Sequence, residues 1–202
     1  MPDGWGRVTI SNATSLLRRG TAPLYVEHSD TWAIGQRCIR LDGFHPEESR
    51  PHESSSMARA IIPMVGDVLI NSTGTGTVGR SAVFDDPNRK YIVDGHVTVA
   101  RPKPGVITGR WLDDILRSPK GQTYLESNCI SGSTNQVELS AFELGKMVIS
   151  KPPFVEQERI AEILDTLDEQ IRLTKATLAK LEAIKSGLAE DLLTGRVRVP
   201  VP

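Results

Sequence analysis

Gly74-Thr-Gly76-Thr-Val-Gly79-Arg80-Ser81 is the stretch of this chain whose residue types best suit gripping an anion. It has the spacing G-x-G-x-x-G, and it has that of a phosphate-binding loop except that Arg80 stands in place of the lysine. Both motifs work when a helix starts at the loop and aims its first amides at phosphate. Here the loop runs into Ser81-Ala-Val-Phe84 and then Asp85-Asp-Pro87, a short strand and a turn, so a nucleotide site is not expected. Two readings of the loop stand side by side. In one, the glycines supply positive φ to a hairpin-like connection. In the other, Ser72, Thr73, Thr75, Thr77 and Arg80 offer hydrogen bonds to a polyanion or to base edges.

A second polar run lies at Ile130–Gln136, where Ser131, Ser133, Thr134, Asn135 and Gln136 are dense in neutral donors and acceptors. Asn and Gln pair bidentately with adenine, and the same residues also suit a capping loop before a helix. Arg37, between Gln36 and Cys38, is a further candidate for a base or phosphate contact. Other constellations lack the pattern their chemistry needs. His45, Glu47, Glu48 and His52 cluster without metal-ligand spacing and read as a solvated loop. Asp94-Gly95-His96 has no nucleophile elbow and no paired serine, so His96 reads as a packed or turn residue. Cys38 and Cys129 are isolated, without a C-x-x-C, and read as reduced thiols. No catalytic group, metal site or cofactor is expected in this chain.

The bulk numbers set the class. The 202 residues fit one domain of about 150 residues plus an appendage. Net charge is −1, so nothing overall announces nucleic acid, but in residues 1–150 twelve of the sixteen basic side chains are arginine. Arginine presents a flat fork suited to phosphates and guanine edges. No stretch approaches the roughly 20 apolar residues of a membrane span. Met1-Pro-Asp-Gly-Trp5 lacks the apolar run of a signal peptide, so a cytoplasmic protein is expected.

The elements that must position these residues read as follows. Strands are expected in 32–44, at Val65–Ile70, Ser81–Phe84, Tyr91–Val93, Val97–Ala100 and Met147–Ile149. Residues 45–58 read as a loop and 85–88 as a turn. Short helical pieces are expected at Trp111–Leu116, Gly121–Leu125 and Leu139–Gly145. Pro152-Pro153 closes this part, and one helix then runs from about 155 to about 193, with Gly195 as its C-terminal stop. Its apolar positions alternate by four and three: Ile160, Leu164, Leu167, Ile171, Thr174, Leu178, Leu181, Lys185, Leu188 and Leu192. A 3.5-residue repeat held this long marks a coiled-coil seam. The helix makes a rod of roughly 57 Å that needs a partner. A parallel in-register pair sets Lys185 against Lys185 in the seam, which is costly. An antiparallel pair centred near Thr174 brings Lys185 to residue 164 of the partner, where Glu162 and Asp165 meet its charge.

Four motifs, in this order, resemble those of type I restriction-modification specificity subunits. They are Pro2-Asp-Gly-Trp5, Gly66-Asp-Val-Leu-Ile-Asn-Ser-Thr-Gly-Thr-Gly-Thr-Val-Gly-Arg80, Pro152-Pro-Phe-Val-Glu-Gln-Glu-Arg-Ile160 and Asp191-Leu-Leu-Thr-Gly-Arg-Val197. The resemblance implies an α+β chain: a mixed target recognition domain over residues 1–151, then a long dimerisation and spacer helix with its tail over 152–202. It implies a non-catalytic subunit that reads double-stranded DNA and docks methyltransferase subunits, with or without a restriction subunit. S-adenosylmethionine and ATP belong to those partners. A full subunit carries two recognition domains and two helices; this chain has one of each. It therefore resembles a half-subunit that pairs with itself, or with a different half, to read a split site. Two other classes stand beside this one: a coiled-coil adaptor that binds only proteins, and a nucleotide-binding enzyme built on the 74–81 loop.

Overall fold

Strands fall where apolar residues run together, and a computed structural model describes them for residues 2–55, 59–132 and 136–200. β1 (Gly6–Thr9), α1 (Ile10–Ala13) and β2 (Thr14–Arg19) come first, then β3 (Thr31–Ile34), β4 (Ile39–Arg40), β5 (Gly43–Phe44) and β6 (Arg50–His52). The middle of the chain holds β7 (Val68–Asn71), β8 (Ser81–Val83), β9 (Lys90–Val93) and β10 (Val97–Pro102). α2 (Gly109–Arg117), α3 (Pro119–Tyr124), β11 (Ile130–Ser131), β12 (Glu138–Leu139), α4 (Ala141–Lys146) and β13 (Val148–Lys151) lead into α5 (Phe154–Leu193). This is an α+β chain ending in one long helix, as expected.

The largest sheet has the order β2-β10-β7-β8, with every pair antiparallel. β7 (Val-Leu-Ile-Asn) is buried at every position, as is β10 through Ala100. Such near-continuous apolar runs, here with Thr98 and Asn71 as buried polar members, are what strands covered on both faces require. A second sheet, β6-β3-β9, pairs β3 with β9 in parallel, Ala33 opposite Ile92. Ile34, Cys38, Ile39, Leu69, Val93, Val97 and Val99 form one core cluster. Phe44, Phe84 and Tyr91 pack edge to face within it, with centroids 5.3–6.2 Å apart.

One buried ion pair ties the entry of β7 to β10. The Asp67 carboxylate, 1% exposed, accepts both prongs of the Arg101 guanidinium at 2.8 Å and the Met64 amide at 2.8 Å. Arg101 also donates to the Ile62 carbonyl at 2.9 Å.

Several expectations are corrected. Residues 45–58 are not one loop: Pro46–Glu48 make a 3-10 turn and Arg50–His52 add to β3 as an edge strand. Pro51 is tolerated there because an edge strand needs fewer amide donors. His52 is consequently buried, and its Nδ1 accepts the Leu24 amide at 3.0 Å. The helical piece at 121–125 starts earlier, at Pro119, with Ser118 capping it, and ends in a π-helical turn over Leu125–Cys129. The polar run after 130 is flanked by a pairing of β11 with β12, and helix α4 begins at Ala141 behind a Ser140 cap. Both cysteines are buried, and burial pushes their thiols up to about 11.

The chain divides into two units, Met1–Glu158 and Arg159–Pro202. The first turn of α5 belongs to the first unit and is fastened there by Gln157, which is fully buried. Its amide oxygen accepts the Thr108 amide at 2.9 Å, and its nitrogen donates to the carbonyls of Pro152 (3.0 Å) and Val106 (3.2 Å). In the second unit Leu167, Ile171, Leu178, Leu181 and Leu188 are each about half exposed. Gly195, at φ +74°, follows its end.

Candidate functional site

The glycine loop is closed at its root by Asn71. The Asn71 backbone amide donates to the Arg80 carbonyl at 2.9 Å, and its own carbonyl accepts the Gly79 amide at 2.8 Å. Its side chain donates to the carbonyls of Gln36 and Ile39 at 3.2 and 3.4 Å. Inside the loop Gly74 has φ +96°, and a Cβ there would lie 2.5 Å from the Thr77 hydroxyl and 2.8 Å from the Gln36 amide oxygen. The backbone conformation at position 74 therefore favours glycine, and any side chain there would also have to displace the Thr77 and Gln36 side chains. The loop is followed by strand β8, so no row of helix N-terminal amides faces a phosphate. The positive-φ hairpin accounts for the glycines.

What remains is the hydroxyl and amide inventory, and the structure divides it. Ser72 is fully buried, hydrogen-bonded to the Thr98 hydroxyl at 2.6 Å. Thr77 turns inward, its hydroxyl donating to the Thr73 and Gly74 carbonyls. Arg80 folds back to donate to the Gly76 carbonyl at 2.7 Å. Thr75 is exposed at the tip. Thr73 sits at a junction: the Gln36 side-chain amide donates to its hydroxyl, and the His96 Nδ1 lies 2.9 Å from it. The expectation that His96 is a turn residue holds, for its amide donates to Asp94 at 2.9 Å, but its ring is also on the surface beside Thr73.

The second polar run joins the first. The Leu139 amide donates to the Ser72 carbonyl at 2.8 Å, and Thr73 bridges Glu138. Gln136 is exposed two residues from that bridge; Ser133, Thr134 and Asn135 lie outside the described residues. Arg19 links the same strand to the Asp94–His96 turn, with Nε donating to the Gly95 carbonyl at 2.8 Å and a terminal nitrogen 3.3 Å from Glu138. Asp94 is itself held by the Tyr25 hydroxyl at 2.7 Å; burial first, then this bond, pushes Tyr25 up to about 12.

Arg37 stands apart from this junction. Its side chain is 81% exposed, with Nε 3.0 Å from Glu48, which also holds Arg40. Beside them His45 bonds Glu47 and Asp42 at 2.7 and 3.1 Å. The Glu47 bond lifts the imidazole above its usual value, against the burial that lowers it, and the Asp42 bond adds to the rise.

The arrangement suits hydrogen-bond recognition more than catalysis. The His96 ring meets a hydroxyl, but among the described residues no carboxylate is bonded to that ring to orient it as a base. Among the described residues no group of three or more His, Cys, Asp or Glu could hold a metal ion. Among the described residues no helix is long and apolar enough to cross a membrane. Sequence reasoning missed Gln36 and Arg19, whose only signal was a place beside Arg37 and a doublet with Arg18. It also missed Gln157, which looked like one more polar residue of a helix start.

Residues 57–183 match the family described as the type I restriction modification DNA specificity domain. The EcoKI specificity subunit of Escherichia coli K12 is 25% identical over 98% of this chain, which spans 43% of that protein. A protein of Haemophilus influenzae described as a type I restriction enzyme specificity subunit is 31% identical over 52% of this chain, corresponding to 25% of its own length. The chain thus spans less than half the length of these relatives. In fold it is similar to the HsdS subunit of Thermoanaerobacter tengcongensis, with a TM-score of 0.68, 17% identity, and coverage of 99% of this chain and 52% of that one.

Proposed function

The chain belongs to the family of type I restriction-modification DNA specificity domains, and on that premise we propose that it is half of a specificity subunit, reading one half of a split site in double-stranded DNA. In this reading residues 1–151 are the target recognition domain and residues 152–202 the pairing helix. Thr73, Thr75 and Gln136 face base edges or phosphates, and Arg37 and Arg80 add charge at the rim; Ser133, Thr134 and Asn135, outside the described residues, are given the same role from the sequence alone. Ser72 and Thr77 shape the loop from inside. The subunit acts in the cytoplasm, makes and breaks no bond itself, and positions methyltransferase subunits that carry S-adenosylmethionine. A restriction subunit using ATP joins where one is present.

The observation that carries the reading is that β12, which directly follows the second polar run, is fastened to the base of the glycine loop through the Leu139–Ser72 bond and the Thr73–Glu138 bridge. It gathers neutral hydrogen-bonding groups from sequence-distant loops, which base readout needs and a bare electrostatic contact does not.

Self-pairing is the second part of the proposal. The seam positions Leu167, Ile171, Leu178, Leu181 and Leu188 expose about half of each side chain. Burying the rest is worth on the order of 1 kcal/mol apiece. An antiparallel homodimer covers them and avoids stacking Lys185 on itself. Its two-fold axis makes the two recognition domains equivalent, so the site is a split palindrome. Sedimentation equilibrium of the purified chain at micromolar concentration is expected to give a dimer. A monomer there sinks the homodimer. In a gel shift at low salt with mixed-sequence duplexes, absence of any shift favours the protein-only adaptor.

A further inference from the structure

We propose that Arg18, Arg19, Thr21 and Arg59 form a seat for the DNA phosphate backbone, next to the loop junction and separate from it. The proposal rests on the reading of the chain as DNA-binding and adds the surface that supplies affinity rather than sequence choice.

These residues, with Ala60, line one open concavity of the globular unit. Two segments far apart in sequence meet there, and Val93 at the end of β9 fastens both. Its carbonyl accepts the Thr21 amide at 3.1 Å, and its amide donates to the Ile61 carbonyl at 3.0 Å. Gly20 lies so close to the same strand that a Cβ would sit 2.0 Å from the Val93 carbonyl oxygen. The backbone carrying the arginines is therefore fixed on a buried strand, although the side chains reach solvent. β2 is an edge strand of its sheet, so the concavity opens at a sheet margin.

The charges in the seat are unequally committed. Arg19 is tied down by the Gly95 carbonyl and Glu138. Arg18 and Arg59 are exposed, and among the described residues neither meets a carboxylate. The nearby Asp94 carboxylate is occupied by the Tyr25 hydroxyl and the His96 amide. A chain of net charge −1 thus keeps two uncompensated guanidinium groups and a threonine in one hollow. Arginine forks and small hydroxyls are the groups that hold phosphates. The link to function is Arg19: it bonds the Gly95 carbonyl in the Asp94–His96 turn and Glu138 on the strand bridged to Thr73. A backbone seated here lies beside the groups proposed to read bases.

The test is the salt dependence of DNA binding by the full-length chain, using one mixed-sequence 30-bp duplex across a potassium chloride series. The double variant Arg18→Ala/Arg59→Ala is expected to make the slope of log K against log salt shallower by about 2, one per arginine, and to weaken binding roughly tenfold or more. Arg18→Lys/Arg59→Lys retains most of the slope, since it retains the charge. Both variants should melt like the parent, because the altered side chains are exposed. An unchanged slope on a parent that binds overturns the seat and leaves the DNA-binding reading standing. No binding by the parent at low salt overturns both. Free phosphate that displaces the duplex far better than chloride at equal ionic strength makes the hollow a small-anion site and overturns the backbone assignment.

Discussion

Arg101→Ala is expected to lower the stability of the globular unit by about 3–5 kcal/mol. Asp67 is 1% exposed and holds its charge against two 2.8 Å bonds from Arg101 and one from the Met64 amide. Truncating the arginine leaves that carboxylate buried with a single donor, and an uncompensated buried charge costs far more than the pair is worth over an apolar substitute. Water entering the gap left by the side chain pulls the result toward the lower figure. Arg101→Lys keeps the charge but not the planar fork and is expected to recover only part of the loss. Asp67→Asn/Arg101→Met leaves no buried charge and should be less destabilised than Arg101→Ala alone. Urea unfolding midpoints of the three variants check the order. If Arg101→Ala unfolds within about 1 kcal/mol of the parent, the ion pair does not carry this part of the fold.

Gln157→Leu is expected to cost about 2–3 kcal/mol, because one buried and two part-buried partners lose their bonds together, at roughly 1–3 kcal/mol for a buried group left unsatisfied. Those partners are the Thr108 amide and the carbonyls of Val106 and Pro152. Thr108 also caps α2, so the loss loosens the start of that helix and the first turn of α5 at once. Gln157→Glu gives a signature of its own. A buried carboxyl titrates above its usual range, so its folded-state value is raised over the unfolded one. The protonated acid restores one donor, and that stability is present at low pH and is lost as pH rises through the unfolded value toward the folded one. The variant should therefore be closest to the parent in acid and furthest from it at neutral pH, while Gln157→Leu shows no such dependence. Denaturant titrations at two pH values read both effects. A Gln157→Glu penalty that stays flat with pH argues against burial of this side chain.

How much was legible in advance depends on how local each cause is. The long helix follows from spacing within the segment itself, and its observed span, Phe154–Leu193, lies within one residue of the expected start and at the expected end. β7 and β10 are legible as near-continuous apolar runs. β6 was not, because Arg50-Pro51-His52 has no alternation and becomes a strand only by pairing with β3. The site divides in the same way. The glycines of 74–79 announced a turn by their type. Which hydroxyls point outward was set by distant partners: Thr98 takes the Ser72 hydroxyl, while Gln36 and His96 converge on Thr73. The burial of Gln157 had no local signal, because the loop that buries it lies about fifty residues earlier. The arginine seat joins residues 18–21 to 59–60 through β9, a meeting that no spacing rule encodes.

The measurement that tests the central claim most directly is the methylation pattern of a host genome in which this chain is co-expressed with the type I methyltransferase subunit it is proposed to position. Long-read sequencing is expected to find adenine methylation at a split palindrome, abolished when Thr73, Thr75 and Gln136 are together replaced by alanine in a chain that still co-purifies with the methyltransferase. An asymmetric split motif would keep the recognition role and replace self-pairing with a second half-subunit. No methylation from a soluble, co-purified complex would contradict the account.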